Sequence, residues 1–163
     1  GATMTDRTLQ ASPVIPAEVN GLQIPDQDAI TGGIGIGALA TVMGIRLVEL
    51  SPERAIAVMP AEGNEQPVGL LHGGAYCVLG ESLGSMAAAA HAVQLFGPGA
   101  HAVGVDINAT HTKAVRSGWV TGECKALHLG RSITVHEITI SDADGNRCST
   151  LRITNMVRRP QTT

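Results

Sequence analysis

Aromatic side chains are almost missing from this chain of 163 residues: one Trp, one Tyr and one Phe make up 2% of it. Nucleic-acid-binding modules that stack bases need aromatic platforms, so the composition argues against that class. The formal net charge is -3 and no run of Lys or Arg occurs, which leaves no basic surface for nucleic acid or an anionic membrane. We therefore expect neither partner.

Cysteine and long apolar runs are also scarce. Cys77, Cys124 and Cys148 are odd in number, far apart and without a C-x-x-C pair, which predicts neither a disulfide framework nor a zinc site. The histidines form no H-E-x-x-H motif, so we expect no metal. No apolar run approaches the ~20 residues that span a bilayer, and no secretory signal pattern opens the sequence. The expectation is a soluble, cytoplasmic protein with reduced thiols.

What the sequence does contain is typical of one packed domain, with 44% hydrophobic and 15% charged residues. Residues 1–27 carry Pro13, Pro16 and Pro25 without periodicity, which predicts a flexible leader before a domain over residues 28–160. Residues 28–44 are weakly helical in pattern, and their glycines weaken that prediction.

The hydrophobic pattern after residue 44 predicts strands on both sides of one helix. Residues 44–51 and 54–60 form a predicted hairpin, and an apolar helix follows over residues 73–95, ended by "FGPG". Four segments rich in Val, Ile and Thr come next: "HAVGVDINATHTK", "GWVTGECKALHLG", "SITVHEITISD" and "RCSTLRITNMVR". Because short turns join them, they predict an antiparallel sheet. We expect an α+β fold whose sheet wraps around one long central helix.

Glu81 lies in the middle of this otherwise apolar helix. It shares a helical face with Ser85, four residues on, among small side chains. The carboxylate has two open interpretations: it faces water or pairs with a basic side chain, or it belongs to a functional site.

The start of the helix carries the segment His72-Gly73-Gly74. Free backbone N–H groups and the partial positive charge of a helix start suit a polarised carbonyl oxygen. Alternatively, His72 only caps the helix and the glycines only make a tight turn. Gly73 and Glu81 are about 12 Å apart along one helix, too far for both to act on one carbonyl. If both act on one substrate, we expect them to come from two copies of the chain in a twofold dimer.

The segments "GLLHGGAYCVLGESLGS", "VGVDINATHTKAVRSGWVTGECKALHLGRS" and "DADGNRCST" occur in this order within the predicted β-β-α-β-β-β-β chain. From about Met43 to Val157 the sequence resembles the hotdog-fold acyl-CoA thioesterases of the PaaI or hydroxybenzoyl-CoA thioesterase type. It is most similar to the dihydroxynaphthoyl-CoA thioesterase branch, in which an I-N-A-x-H segment and an L-H-L-G turn recur. The resemblance implies hydrolysis of an aromatic acyl-CoA in menaquinone biosynthesis, by a dimer or a dimer of dimers (a homotetramer).

The resemblance also implies roles for individual residues. Glu81 would be the catalytic carboxylate, as nucleophile or as general base, and the Gly73 N–H would polarise the thioester carbonyl. Gln66 would bind near the thioester, His72 would orient the loop or acyl group, and Ser85 would hold the attacking water. The implied contacts to coenzyme A, which is part of the substrate and not a cofactor, are Gly104, His111, Thr112, Lys113, Ala114, Arg116, His128, Leu129, Gly130, Arg131 and Ser132. For each basic residue in this set, the alternative interpretation is a charge at a strand end that only faces water.

Other functional classes are weaker. "GIGALA" at residues 35–40 fits the dinucleotide pattern G-x-G-x-x-A, but no preceding strand and no βαβ alternation accompany it. No G-x-S-x-G elbow indicates a serine hydrolase. The serious alternative is a non-catalytic acyl-CoA-binding hotdog domain, since a fold does not fix a function.

Overall fold

The fold is one long helix enclosed by a six-stranded antiparallel sheet, which confirms the predicted α+β hotdog class. The structure is a computed structural model and describes residues 15–161. Its elements are β1 (Glu18–Val19), β2 (Leu22–Gln23), α1 (Gln27–Ile30), α2 (Ala38–Val42), β3 (Arg46–Leu50), β4 (Arg54–Pro60), α3 (Gly73–Phe96), β5 (His101–His111), β6 (Trp119–Leu129), β7 (Ile133–Ser141) and β8 (Arg147–Arg158).

The large sheet has the strand order β3-β4-β6-β7-β8-β5, and every neighbouring pair is antiparallel. Strand β5 is the first after the helix, yet it pairs with the last strand, β8, and lies at the edge of the sheet. The predicted strands are confirmed to within two residues at each end. The β5 edge is important for the site because it passes beside the carboxylate of α3.

Helix α3 is capped at both ends, by His72 before its first residue and by Gly97 after its last. The His72 side chain accepts a hydrogen bond from the Gly74 N–H at the start, and Gly97 follows the last helical residue with its N–H bonded to Val93 O. Small residues let α3 approach the sheet closely. A Cβ added to Gly84 would lie 2.2 Å from Ile153 Cγ2 on β8. Any side chain at this position would therefore push the helix away from the sheet.

Strand β7 shows why the core forms on one face of the sheet. Thr134, His136, Ile138 and Ile140 are fully buried, whereas the residues between them are exposed or half-buried. Period-two alternation places all four toward α3, and the predicted alternation of this strand is confirmed. Two of these four inward side chains are polar, which makes this part of the core unusual. The three cysteines are all unpaired.

The segment before β3 contains more structure than the sequence predicted. Strands β1 and β2 form a separate two-stranded hairpin, and the Asn20 side chain between them donates to Trp119 O at 3.1 Å. The weakly helical stretch over residues 28–44 becomes two short helices, α1 and α2, with glycines between them. Residues 1–14 of the predicted leader lie outside the described residues, and the boundary at residue 27 stays a prediction.

A membrane-spanning helix is not found between residues 15 and 161, because no helix there is both long and apolar enough.

Candidate active site

The start of α3 presents a backbone donor that no other group uses. His72 Nδ1 accepts from Gly74 N–H at 2.8 Å, and the Ala75 N–H bonds to His72 O at 2.9 Å. The N–H of Gly73, the first residue of the helix, donates to no acceptor within residues 15–161. This donor lies at the positive end of a 24-residue helix and can therefore bind a carbonyl oxygen that becomes negative. His72 itself is the helix cap, as one of its two interpretations predicted.

A groove of about 390 Å³ opens beside this helix start. His111 forms one wall: its ring atoms lie 3.2 Å from the place of a Cβ on Gly73, and its Nδ1 is 2.8 Å from Ser149 Oγ. The Tyr76 ring lies against it, with centroids 4.8 Å apart and planes tilted by 30°. Burial raises the pKa of Tyr76 to about 12, so its hydroxyl stays protonated. The lining residues are Gln66, Leu70, Leu71, Gly73, Tyr76, His111, Thr112, Lys113 and Ala114.

Gln66 is held with one end of its amide directed into its own loop. Its Oε1 accepts a hydrogen bond from the Val68 N–H, and its backbone N–H donates to Leu70 O at 2.8 Å. Because Oε1 is already engaged, the amide nitrogen is the group left to donate to a ligand in the groove. The structure thus brings together Gln66, Gly73 and residues 111–114, which the sequence had assigned to one substrate.

Glu81 does not line this groove. It lies eight residues beyond Gly73, about 12 Å along α3, and its side chain is exposed above β5. The carboxylate oxygen Oε1 is 2.5 Å from the place of a Cβ on Gly104. Glycine at position 104 therefore leaves the space that the carboxylate occupies. The resemblance had assigned Gly104 to the coenzyme, and the structure places it directly under Glu81.

Ser85 lies one turn beyond Glu81 and bonds to a residue that the sequence analysis missed. Its hydroxyl donates to Asn155 Oδ1 at 3.0 Å. Asn155 is fully buried on β8, where its register partner on β5 is Gly104. One signal could have found it: Asn155 alternates with Ile153 and Val157, so it is a polar residue on the core face of its strand.

Apart from Gly104 and Arg116, the residues assigned to coenzyme A form two separate groups in one chain. His111, Thr112, Lys113 and Ala114 lie in the groove by Gly73. The turn from His128 to Ser132 lies far along α3, where His91 Nε2 is 2.7 Å from Gly130 O and the Arg131 guanidinium is 5.1 Å from the Phe96 ring centroid. His91 is about 27 Å from Gly73 along the helix. Within one chain, the structure does not bring these groups together.

The positive charge of Lys113, in the groove beside Gly73, is partly neutralised by a nearby carboxylate. The Lys113 amine pairs with Asp142, and this contact, with the backbone N–H of Asn146, lowers the pKa of Asp142 to about 2. A phosphate would therefore compete with a carboxylate for Lys113. Arg116 is exposed, and the described residues give it no ion-pair partner.

Comparison with known proteins gives one consistent family. Residues 68–149 match the model of the Thioesterase superfamily. The proofreading thioesterase EntH of Cronobacter turicensis is 42% identical over 123 residues, which are 75% of this chain and 87% of the relative.

Two solved structures share the fold. Thioesterase HI1161 of Haemophilus influenzae superposes with a TM-score of 0.71 at 33% identity, covering 77% of this chain and 86% of the other. A mutant of thioesterase PA1618 of Pseudomonas aeruginosa gives 0.72 at 36% identity, covering 83% and 96%.

Proposed function

Because the chain belongs to the thioesterase superfamily and is a thioester hydrolase, we propose that it hydrolyses an aromatic acyl-CoA to the free acid and coenzyme A. Its hydrolase character sets aside the alternative of a non-catalytic acyl-CoA-binding domain. The proposed acyl group resembles dihydroxynaphthoyl or hydroxybenzoyl, which would place the enzyme in menaquinone biosynthesis in the first case. The chemistry requires neither a metal nor a redox cofactor.

The observation that carries the proposal is the exposed Glu81 carboxylate, which lies over Gly104, one turn from Ser85. As general base, Glu81 takes a proton from water while the water oxygen bonds to the thioester carbon. The C–S bond then breaks, and the proton passes to the leaving thiolate, so that acid and thiol are the products. As nucleophile, Glu81 would bond to the same carbon while the C–S bond breaks, which gives an anhydride and the coenzyme A thiolate. Water then hydrolyses the anhydride, which returns the Glu81 carboxylate, releases the acid and supplies the proton that the thiolate takes up.

The groove supplies the donors for the carbonyl oxygen. The Gly73 N–H has no acceptor among residues 15–161, and the Gln66 Oε1 accepts from the Val68 N–H, which leaves the Gln66 amide nitrogen to donate. Donors that are fixed before the reaction stabilise the oxygen as it gains charge, an effect worth roughly 10²–10³ in kcat for one donor. In this proposal His72 acts through the loop, because its side chain caps α3.

A second copy of the chain would unite donors and base. The gap of about 12 Å between Gly73 and Glu81 is too long for one thioester group. Strand β5 is an edge strand, and its Val103 and Val105 side chains are 43% and 53% exposed. We propose a twofold dimer through this edge, in which Glu81 of one protomer faces Gly73 of its partner.

The same dimer would unite the two groups of coenzyme contacts. The turn from His128 to Ser132 lies beyond Glu81 along α3, while His111 to Ala114 lie beside Gly73. If the helices of two protomers are antiparallel, the groove of one approaches the Glu81 end of the other. The long pantetheine arm could then run from the shared site toward one of these basic segments.

His111 supports an aromatic acyl group, because its exposed ring lies beside Gly73, is backed by the buried Tyr76 ring and offers a stacking surface in the groove. The test is thiol release from hydroxybenzoyl-CoA, dihydroxynaphthoyl-CoA, hexanoyl-CoA and lauroyl-CoA. We expect kcat/KM to be at least roughly tenfold higher for the aromatic substrates. His111→Leu should lower kcat/KM for the aromatic substrates more than it lowers kcat/KM for hexanoyl-CoA. Equal kcat/KM values on all four substrates would contradict the aromatic assignment.

A second candidate is proofreading, because the Cronobacter relative carries that name. An enzyme that removes incorrect thioesters should accept many acyl groups, so this candidate predicts similar kcat/KM values across the same four substrates.

A further inference from the structure

A row of three register partners crosses three strands beneath α3, and two of them carry buried polar side chains. Thr134 on β7, Asn155 on β8 and Gly104 on β5 are register partners, side by side across the sheet. Thr134 and Asn155 are both fully buried. Glu81 lies over the Gly104 end of this row, and Ser85 bonds to its centre at Asn155.

Asn155 is an unfavourable choice for a merely structural position. Its Nδ2 has no hydrogen-bond partner in the described part of the chain, and neither has the neighbouring Thr134 Oγ1. The adjacent inward residues on β8, Ile153 and Val157, are apolar. An unpaired amide in such surroundings costs free energy that an apolar residue of equal size would not. Its one bond, to Ser85, is therefore the contact that needs an explanation.

That bond fixes the direction of the Ser85 hydroxyl. A hydroxyl has one proton and two lone pairs, and here the proton is donated to Asn155 Oδ1 over 3.0 Å. The lone pairs of Ser85 Oγ are then free to accept. Because Glu81 and Ser85 share a helical face, a water between them can donate one hydrogen to each. A lone pair of that water is left to face the thioester carbon.

We propose that Asn155 is a positioning residue of the hydrolytic site, which fixes Ser85 as an acceptor for the attacking water. This inference rests on the proposed function of Glu81. It adds to that function a buried residue on β8 that touches neither substrate nor the reacting atoms and acts through Ser85.

The test is a double-mutant cycle with Asn155→Leu and Ser85→Ala, assayed by thiol release. Leu has the same number and branching of side-chain heavy atoms as Asn but a larger volume, so we expect the fold to be retained with a thermal midpoint close to that of the wild type. We expect each single variant to lose roughly 10- to 100-fold in kcat, with KM within about twofold of the wild type. The double variant should lose no more than Ser85→Ala alone, since Asn155 acts through Ser85.

Thr134→Val is the matched control, because it removes a neighbouring buried polar atom that has no bond to Ser85. It should keep kcat within about twofold of the wild type. If Asn155→Leu does not fold, Asn155→Val, which suits a strand, takes its place in the same cycle.

Two results would overturn the inference: a wild-type kcat in the Asn155 variant, or a double variant whose loss equals the product of both single losses. Failure of the proposed function has a different signature, which is a fully active Glu81→Gln. If Glu81→Gln is inactive and the Asn155 variant is fully active, the proposed function stands and only the role of Asn155 is contradicted.

Discussion

The Glu81 carboxylate occupies the space that a side chain on Gly104 would fill, with Oε1 2.5 Å from the place of that Cβ. The two residues lie on different elements, α3 and β5, so the carboxylate lies against the edge strand of the sheet. The atom that meets the added Cβ is the far end of a flexible side chain, so the carboxylate can move without disturbing the backbone.

Gly104→Ala should therefore separate activity from stability. The added methyl group displaces the carboxylate, and a displacement of about 1 Å can cost roughly 100-fold in rate. We expect a fall in kcat of this order with little change in the thermal midpoint. Asn108→Ala, an exposed position on the same strand, is the control and should behave as the wild type. A Gly104→Ala enzyme with unchanged kcat would show that the position of Glu81 over Gly104 is unimportant.

Mixing two inactive variants tests the shared site. If Glu81 acts with Gln66 of the partner, a heterodimer of Glu81→Ala and Gln66→Ala has one site with both defects and one intact site. Random exchange of subunits should then restore about a quarter of the wild-type activity. If each site lies within one chain, the mixture stays as inactive as its components. Each variant re-associated with itself serves as the control.

Because α3 packs closely on β8, we expect Gly84→Ala to destabilise the protein more than Gly80→Ala. A Cβ at Gly84 would meet Ile153 Cγ2 at 2.2 Å, on a β-branched residue that cannot turn away. A Cβ at Gly80 would meet the end of Leu151 at 2.9 Å, and this side chain can rotate. Gly84→Ala should lower the free energy of unfolding by about 1–3 kcal/mol. Urea unfolding should show a smaller loss for Gly80→Ala, and the reverse order would contradict the described packing.

His136 should make the protein sensitive to acid. It is fully buried with Nε2 bonded to Pro52 O at 2.8 Å, and burial, followed by the nearby His91, lowers its pKa below 6.5. Below pH 6.5 this histidine is protonated in the unfolded chain but stays neutral in the folded chain until a lower pH. The free energy of unfolding therefore falls as the pH decreases. Above that pH the contribution is constant.

His136→Gln removes this titration and keeps an amide that can donate to Pro52. Its free energy of unfolding should fall less than that of the wild type between about pH 6.5 and pH 5, by at most about 1.4 kcal/mol per pH unit. Parallel pH dependence in both proteins would contradict the assignment to His136.

The long elements of this fold could be predicted because their signals are local and repeated. Strand β7 alternates over nine residues, and α3 is a largely apolar stretch between a cap and "GPG". The short helices α1 and α2 were harder, since glycines between them weaken any helical pattern and packing decides where each turn forms.

The site was predictable only in part, for a similar reason. Gln66, Gly73 and His111 could be grouped from a family resemblance, and the structure brings them to one groove. Asn155 gave only a weak signal in the alternation of β8, because its contact with Ser85 spans 70 residues of sequence. The separation of the two coenzyme segments also required the fold, since both are strand ends in sequence and only the topology places them at opposite ends of α3.

The central claim is that Glu81 is the catalytic carboxylate, and the most direct measurement is kcat for thiol release by Glu81→Gln beside the wild type. The amide is equal in size, so the fold, the dimer and KM should be nearly unchanged. Loss of the carboxylate should lower kcat by roughly 10²–10⁴. A Glu81→Gln enzyme with wild-type kcat would contradict the account.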